Sequence, residues 1–210
     1  MPKLSLQLLR HTQRRKLDAY LELYERSFNP DERVSPDILR RVIVPSPARV
    51  NPVHLFAAYR GGRLVGGACT LVLPAFSVVF GSYIFVDPAL RGQGLGVRIS
   101  RQLLREERRG PQGWNWRLYC EVTVASGGGW HAALAESGFR FFPAVWPLVS
   151  YKQPGKVVAG KLGYFQFRKT PPRRFSQPAF LMYIHALFYG PEATHRHLLL
   201  RLKDFVGLYA

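Results

Sequence analysis

A glycine-rich hexapeptide lies between an apolar, strand-like stretch at 77–86 and a helical pattern. Its residues are Arg91, Gly92, Gln93, Gly94, Leu95 and Gly96. Alternating glycines let neighbouring backbone N–H groups converge without obstruction by Cβ atoms. The first N–H groups of a helix have no partner within it, and the helix N-terminus carries partial positive charge. The hexapeptide therefore predicts a binding site for a phosphate or pyrophosphate group.

Two better-known phosphate loops do not fit these residues. The dinucleotide-binding pattern G-x-G-x-x-G needs a final glycine, and counting from Gly92 places Val97 there. A Walker-type loop ends in Gly-Lys-Ser or Gly-Lys-Thr, and the chain contains neither sequence. The remaining alternative is an ordinary glycine-rich turn, which the strand before it and the helix after it disfavour.

Hydrophobic periodicity predicts six elements that lead up to the hexapeptide. They are a strand at 4–9, helices at 13–27 and 36–44, and strands at 54–59, 64–73 and 77–86. Ser35 is the expected N-cap of the second helix, with Pro36 at its first position. The sequence Arg60-Gly61-Gly62-Arg63 predicts a hairpin.

Beyond the hexapeptide the pattern continues with alternating helices and strands. The predictions are a helix at 94–109, a strand at 117–124, a helix at 130–137 with Gly138 as its C-cap, a loop at 154–163, a strand at 180–189 and a basic helix from Pro191. Consecutive strands favour antiparallel pairing, whereas a strand-helix-strand unit implies a parallel crossover. The order of the predicted strands and helices along the chain therefore indicates an α+β fold (mixed α/β), with a mixed sheet covered by helices.

Composition limits the class of protein. The chain has 210 residues, 47% of them hydrophobic, which suits a globular domain and excludes a disordered chain. The net charge is +17, and 23 of the 30 basic residues are arginine. This charge fits either a polyanionic partner or a genomic bias toward arginine. Because no nucleic-acid motif accompanies it, nucleic acid is a disfavoured partner.

Several features point to a soluble, cytoplasmic protein without a bound metal. Cys69 and Cys120 lie in apolar stretches, as small buried hydrophobic residues do in a reducing compartment. The N-terminus lacks the pattern of a secretory signal, and the apolar run 71–86 is interrupted by Pro74 and Gly81. His195 and His197 are two apart, which is wrong for one helical face, and no other metal-ligand spacing is present.

The hexapeptide and its surroundings resemble one known family. Arg91, Gly94 and Gly96 match Gln/Arg-x-x-Gly-x-Gly/Ala, the acyl-CoA-binding signature of the GNAT superfamily of N-acyltransferases. Val86-Asp87-Pro88 resembles the family's usual strand end, and Ser137-Gly138-Phe139 resembles the Gly-Phe that closes a later helix. The resemblance implies a splayed mixed β-sheet flanked by helices over 1–153, with a basic C-terminal extension over 154–210 packed on the same domain.

The resemblance also implies a reaction and a cofactor site. The chain is expected to transfer an acetyl or other acyl group from acetyl-CoA or another acyl-CoA to an amine of unknown identity. The resemblance is also compatible with a homodimer. The pantetheine arm of the cofactor would lie between the strands 77–86 and 117–124. The expected cofactor-binding residues are Ile84, Phe85, Val86, Arg91, Gly92, Gln93, Gly94, Leu95 and Gly96.

The catalytic residues are less well defined by the resemblance. An alkyl amine with a pKa of about 10.4 is mostly protonated at neutral pH, so a general base should help. Glu121 is the first candidate and His131 the second, although either side chain could have a purely structural role.

The acid position departs from the family pattern. The family's tyrosine falls on Leu134, or on Ala135 with a one-residue gap, and its asparagine falls on Gly127. The candidates for the general acid are then the hydroxyl groups of Tyr83 and Tyr119, or water. The missing tyrosine supports an alternative function as a catalytically silent acyl-CoA-binding or sensing module.

Overall fold

A computed structural model describes residues 2–44, 51–108, 117–123, 129–143, 146–149 and 157–168. Their helices are α1 (Arg14–Ser27), α2 (Pro36–Val42), α3 (Leu95–Arg108) and α4 (Gly129–Glu136). Their strands are β1 (Leu4–Leu8), β2 (Val53–Arg60), β3 (Arg63–Leu73), β4 (Val78–Val86), β5 (Arg117–Thr123), β6 (Arg140–Phe141), β7 (Trp146–Val149) and β8 (Val157–Gln166). Short 3₁₀ turns occupy Pro30–Glu32, Pro74–Phe76 and Pro88–Leu90.

The strands form one mixed sheet. Its order is β1-β2-β3-β4-β5-β8-β6, and β7 pairs with a different part of β8 than β6 does. The pair β4 and β5 is parallel, because α3 crosses between them, and the other pairs are antiparallel. The mixed sheet flanked by helices that the sequence predicts is confirmed.

The helices cover both faces of the sheet. One apolar cluster joins α1 to side chains of β2, β3 and β4, and another joins α3 and α4 to the opposite face of β4 and β5. Two adjacent glycines of β3 allow this close approach. A Cβ atom on Gly66 would lie 2.9 Å from Cδ1 of Ile99 in α3, and one on Gly67 would lie 2.5 Å from Cε2 of Tyr20 in α1. Larger residues there would collide both with these helices and with backbone oxygens of the neighbouring strands, those of Phe85 and Phe56.

The predicted helix boundaries agree closely with the structure. The Ser35 side chain accepts a hydrogen bond from the Ile38 amide, and Pro36 begins α2. Gly138 follows α4 with a φ of +97°, a conformation that favours glycine. The amide of Phe139 then donates to the Leu134 carbonyl at 3.0 Å, which closes the end of the helix.

The loop predicted at 154–163 is wrong from Val157 onward, and residues 154–156 lie outside the described residues. Strand β8 begins at Val157 and pairs with the whole of β5. The paired residues run from Arg117 opposite Gln166 to Thr123 opposite Gly160. Gly163 looks like a loop residue in sequence, but it lies opposite Cys120 within the sheet. The strand predicted at 180–189, the helix from Pro191 and the rest of the C-terminal extension after 168 lie outside the described residues.

Two further findings concern membranes and metals. None of the helices in the described ranges is long and apolar enough to cross a membrane. Within the same ranges, no three histidine, cysteine or acidic side chains come together as metal ligands. Both cysteines are buried and free, as the sequence predicts.

Candidate active site

The sheet splits between its two parallel strands. β4 pairs with β5 only from Val78 to Gly81, although β4 continues to Val86 and β5 to Thr123. Opposite β3, the register shifts so that Ser82 is an extra residue between Gly81 and Tyr83. A bulge of this kind bends its strand and increases its twist. Residues 82–86 therefore line a gap on the side where β5 no longer pairs with them.

The hexapeptide follows at the end of this strand. An Asp87 carboxylate oxygen accepts a hydrogen bond from the Ala89 amide at 3.1 Å, which caps the turn as its position beside Pro88 predicts. Gly92 and Gly94 have φ values of +79° and +67°, and a Cβ atom on either would meet nothing within 4 Å. The left-handed backbone, not crowding inside the protein, is what requires glycine at both positions.

Helix α3 starts directly after Gly94. The Arg98 amide donates to the Gly94 carbonyl at 3.3 Å, so the amides before Arg98 precede the first internal hydrogen bond of the helix. Gly96 has a different role from the two earlier glycines. A Cβ atom there would lie 3.2 Å from Cζ3 of Trp130, so this glycine lets the start of α4 pack closely on α3.

Three arginines surround the turn. Arg60, on the β2–β3 hairpin, donates to Oε1 of Gln93 from both Nη1 (3.2 Å) and Nη2 (3.3 Å). Arg63, on the same hairpin, lies 3.5 Å from the Asp87 carboxylate. Arg91 itself donates from Nη2 to the Ser27 carbonyl at 2.8 Å. That carbonyl is at the C-terminus of α1, the negative end of the helix dipole.

The backbone of the turn and the Arg91 side chain therefore have different roles. The guanidinium of Arg91, predicted to bind a cofactor, contacts α1. The glycines and α3 shape a surface that an anion can approach. Arg60, bonded to the neutral side chain of Gln93, adds positive charge there, whereas the Asp87 carboxylate offsets the charge of Arg63. The sequence predicts the hairpin but not the reach of Arg60 and Arg63, because their partners are 33 and 24 residues away along the chain.

The two candidate catalytic residues lie on opposite walls of the gap. Glu121 follows Cys120, the last β5 residue that pairs with β4, and is half-buried. Cys120 and Val122 pack on the α3 face, so strand alternation places Glu121 on the face that α1 covers. Tyr83 packs in the α1 cluster on this same face. The structure thus brings both candidates to one face of the sheet, at the open end of the gap.

The Tyr83 hydroxyl contacts the segment between α1 and α2. It accepts a hydrogen bond from the Val34 amide at 3.1 Å, and its ring packs edge-on against Tyr24 and Phe28. Tyr119 is fully buried, accepts from Nη1 of Arg117 at 3.2 Å and stacks parallel to Phe142. A fully buried phenol has no route to a substrate, so Tyr119 is a poor acid candidate.

The remaining candidates lie in or near α4. Leu134, at the position of the family's tyrosine, is buried in the α3–α4 cluster. His131 lies on the surface, with its ring centroid 4.1 Å from that of Phe141. This packing favours a structural role for His131. Gly127 lies outside the described residues.

Comparison with known proteins settles the family. The family model described as the acetyltransferase (GNAT) family matches residues 17–139, more than half of the chain. The chain belongs to the GNAT acetyltransferase family. The match contains most of α1 together with the gap, the hexapeptide and α4, so the candidate site lies within the GNAT region. Among the curated proteins, none matches the sequence of this GNAT chain.

Solved structures show the same GNAT fold at low sequence identity. A GNAT-family protein from Bacteroides thetaiotaomicron is 16% identical, with a TM-score of 0.67 over 89% of this chain and 98% of its own. A protein from Salmonella typhimurium, solved with its cofactor acetyl-CoA, is 18% identical, with a TM-score of 0.58 over 81% and 97%. The ribosomal-protein-S18-alanine N-acetyltransferase of Escherichia coli is 18% identical, with a TM-score of 0.56 over 83% and 100%.

Proposed function

We propose that this GNAT chain transfers an acetyl or related acyl group from acyl-CoA to an amine. The supporting observation is the left-handed turn at Gly92 and Gly94, which opens α3 beside the diverging edge of β4. Amides of the turn and of the first α3 residues would bind the pyrophosphate. The backbone of Ile84, Phe85 and Val86 would pair with the pantetheine arm as an added strand does. The residues present therefore fit acyl-CoA.

The reaction requires removal of a proton from the acceptor. Bound acyl-CoA supplies a thioester carbonyl, which a neutral amine attacks; the C–N bond forms and the C–S bond breaks. Glu121 lies on the gap wall formed by β5, where its carboxylate would take the proton from the incoming ammonium. The departing thiolate has a conjugate acid with a pKa of about 8.5, so it needs less help from an acid. Water would then suffice as the proton source.

A second candidate function is acyl-CoA binding without turnover. The observation that favours it is Leu134, which is 3% exposed and apolar where relatives place a proton donor. The two functions share the cofactor site and differ only in chemistry. They are therefore separated by measuring binding and turnover on the same preparation.

The test combines calorimetric titration with acetyl-CoA and a thiol-release assay. The amine panel contains spermidine and a peptide with an N-terminal alanine, because these acceptors appear in the names of structurally similar enzymes. Burial raises the pKa of the Cys69 and Cys120 thiols, so the protein contributes little background thiolate. Absence of acetyl-CoA binding would contradict both functions, and binding without thiol release from any amine would support the second.

A matched pair of glycine variants tests the site itself. We expect Gly94→Ala to weaken acetyl-CoA binding by about 10-fold or more, because a side chain in left-handed backbone costs about 1–2 kcal/mol and would distort the turn. Gly62→Ala is the matched variant, since Gly62 has a φ of +79° and no atom within 4 Å of its Cβ position. It lies outside the hexapeptide, in the hairpin that carries Arg60 and Arg63, so we expect a smaller loss of affinity. Equal losses of affinity in both variants would contradict the proposed site.

A further inference from the structure

The segment between α1 and α2 lies on the face of the sheet that carries Tyr83 and Glu121. We define this connecting segment as residues 28–35; it includes the 3₁₀ turn Pro30–Glu32. The opposite face of the gap is covered by α3 and α4. If acyl-CoA occupies the gap, as proposed above, the α1 face is where a second substrate would reach the thioester. The connecting segment borders that approach.

Two tyrosines hold the main chain of Val34 from both of its polar groups. The Val34 amide donates to the Tyr83 hydroxyl at 3.1 Å, and the Val34 carbonyl accepts from the Tyr24 hydroxyl at 3.2 Å. The two rings meet edge-on with centroids 5.1 Å apart, and Phe28 packs against both. Tyr24 is fully buried and Tyr83 is 8% exposed, so water competes weakly for either hydrogen bond.

The other end of the segment is attached to the hexapeptide. Arg91 donates to the carbonyl of Ser27, the residue that precedes the segment. Near the Val34 end, Arg33 pairs with Glu25 of α1 at 2.8 Å, and the Arg33 side chain is only 10% exposed. Tyr83 lies on the strand that borders the gap, and Arg91 lies on the turn that follows this strand. The connecting segment is therefore attached to β4 at Val34, and its neighbour Ser27 is attached to the turn that would hold the cofactor.

We propose that Tyr83 is a positioning residue for the acceptor. Its hydroxyl fixes Val34, and with it the connecting segment, at the edge of the gap where the amine would bind. This role rests on the proposed acyltransfer, but it differs from proton donation in what it predicts. A positioning hydroxyl affects acceptor binding through the segment, whereas a general acid acts on the chemical step and changes kcat and its pH profile.

The test compares three tyrosine-to-phenylalanine variants. With the panel amine that reacts fastest, we expect Tyr83→Phe and Tyr24→Phe to raise the acceptor KM about fivefold to tenfold, the size expected for one buried hydrogen bond. The Kd for acetyl-CoA should stay within about twofold. Tyr20→Phe is the control, because the Tyr20 hydroxyl donates to the Ala68 carbonyl of β3 at 2.8 Å, outside the connecting segment. Its acceptor KM should not change.

A second measurement needs neither an active enzyme nor a known acceptor. Hydrogen exchange of the Val34 amide in the free chain should be about fivefold to tenfold faster in Tyr83→Phe than in wild type or Tyr20→Phe. Unchanged exchange would overturn the proposal even if the chain does not bind acetyl-CoA. A fall in kcat with an altered pH profile and constant acceptor KM would also overturn it, in favour of Tyr83 as the acid.

Discussion

At the residue scale, the role of the glycines in the hexapeptide follows from the sequence, whereas the partner of its arginine does not. The sequence predicts that the alternating glycines let backbone amides converge, and the structure adds that Gly92 and Gly94 adopt left-handed backbone, where a side chain would be strained. The partner of Arg91 could not be predicted, because Ser27 is 64 residues away along the chain. The motif thus indicates where the backbone needs glycine, whereas the contacts of its charged side chain depend on the tertiary packing around it.

Glu121 gives the residue-scale prediction about chemistry. If its carboxylate removes the proton from the amine, Glu121→Gln should lower kcat by about 10²–10⁴-fold. Acetyl-CoA affinity should be unchanged, because the substitution keeps the shape of the side chain and removes only the base. Steady-state kinetics with the best panel amine, together with calorimetric titration, measures both quantities.

Glu106→Gln is the matched control for Glu121. Glu106 is also half-buried, but it lies on α3 and accepts a hydrogen bond from Gln102 at 3.1 Å. We expect this variant to keep kcat within about twofold. A similar rate for Glu121→Gln and wild type would identify Glu121 as a solvated strand residue and leave water as the base.

At the element scale, most of the fold follows from periodicity and turn residues. The first six elements and α3 were predicted within a few residues of their observed bounds, because each has its own apolar pattern and clear breakers. β8 was missed because glycines within it mimic loop composition. Gly163 is needed there for a tertiary reason, since a Cβ atom would lie 2.7 Å from Cε1 of Phe141 and 3.2 Å from Sγ of Cys120.

This crowding predicts opposite outcomes for two glycines in the sheet. Gly163→Ala should lower the free energy of unfolding by about 1–3 kcal/mol, the usual cost of overpacking. Gly81→Ala in β4 should be neutral or slightly stabilising, because its nearest neighbour is Cδ2 of Leu118 at 3.4 Å and alanine restricts the unfolded chain. Neither glycine has a positive φ, so backbone strain is matched. Urea unfolding measures the difference, and equal stabilities would contradict the packing around β8.

At the scale of the whole molecule, α1 and the sheet enclose ionisable groups in their neutral forms. Burial, with a smaller contribution from the Glu107 charge, raises the pKa of the Cys69 thiol from 9.0 to about 12. Burial likewise raises the pKa of the Tyr20 hydroxyl well above its usual value of 10.0, with smaller contributions from Cys69 and Tyr83. Both groups lie in the core cluster between α1 and the sheet. The interface between α1 and the sheet is therefore sensitive to alkaline pH.

The sign of this dependence follows from which state loses its protons first. Above pH 9, Cys69 ionises in the unfolded chain while the folded thiol stays protonated, so its contribution to stability is full below pH 9 and is lost as pH rises toward 12. In that window the free energy of unfolding should fall by up to about 1.4 kcal/mol per pH unit from this group. Cys69→Ala lowers stability at every pH through lost packing, but should make the decline between pH 9 and 11 shallower. Urea titrations at four pH values give both slopes, and parallel slopes would show that Cys69 does not contribute to the pH dependence.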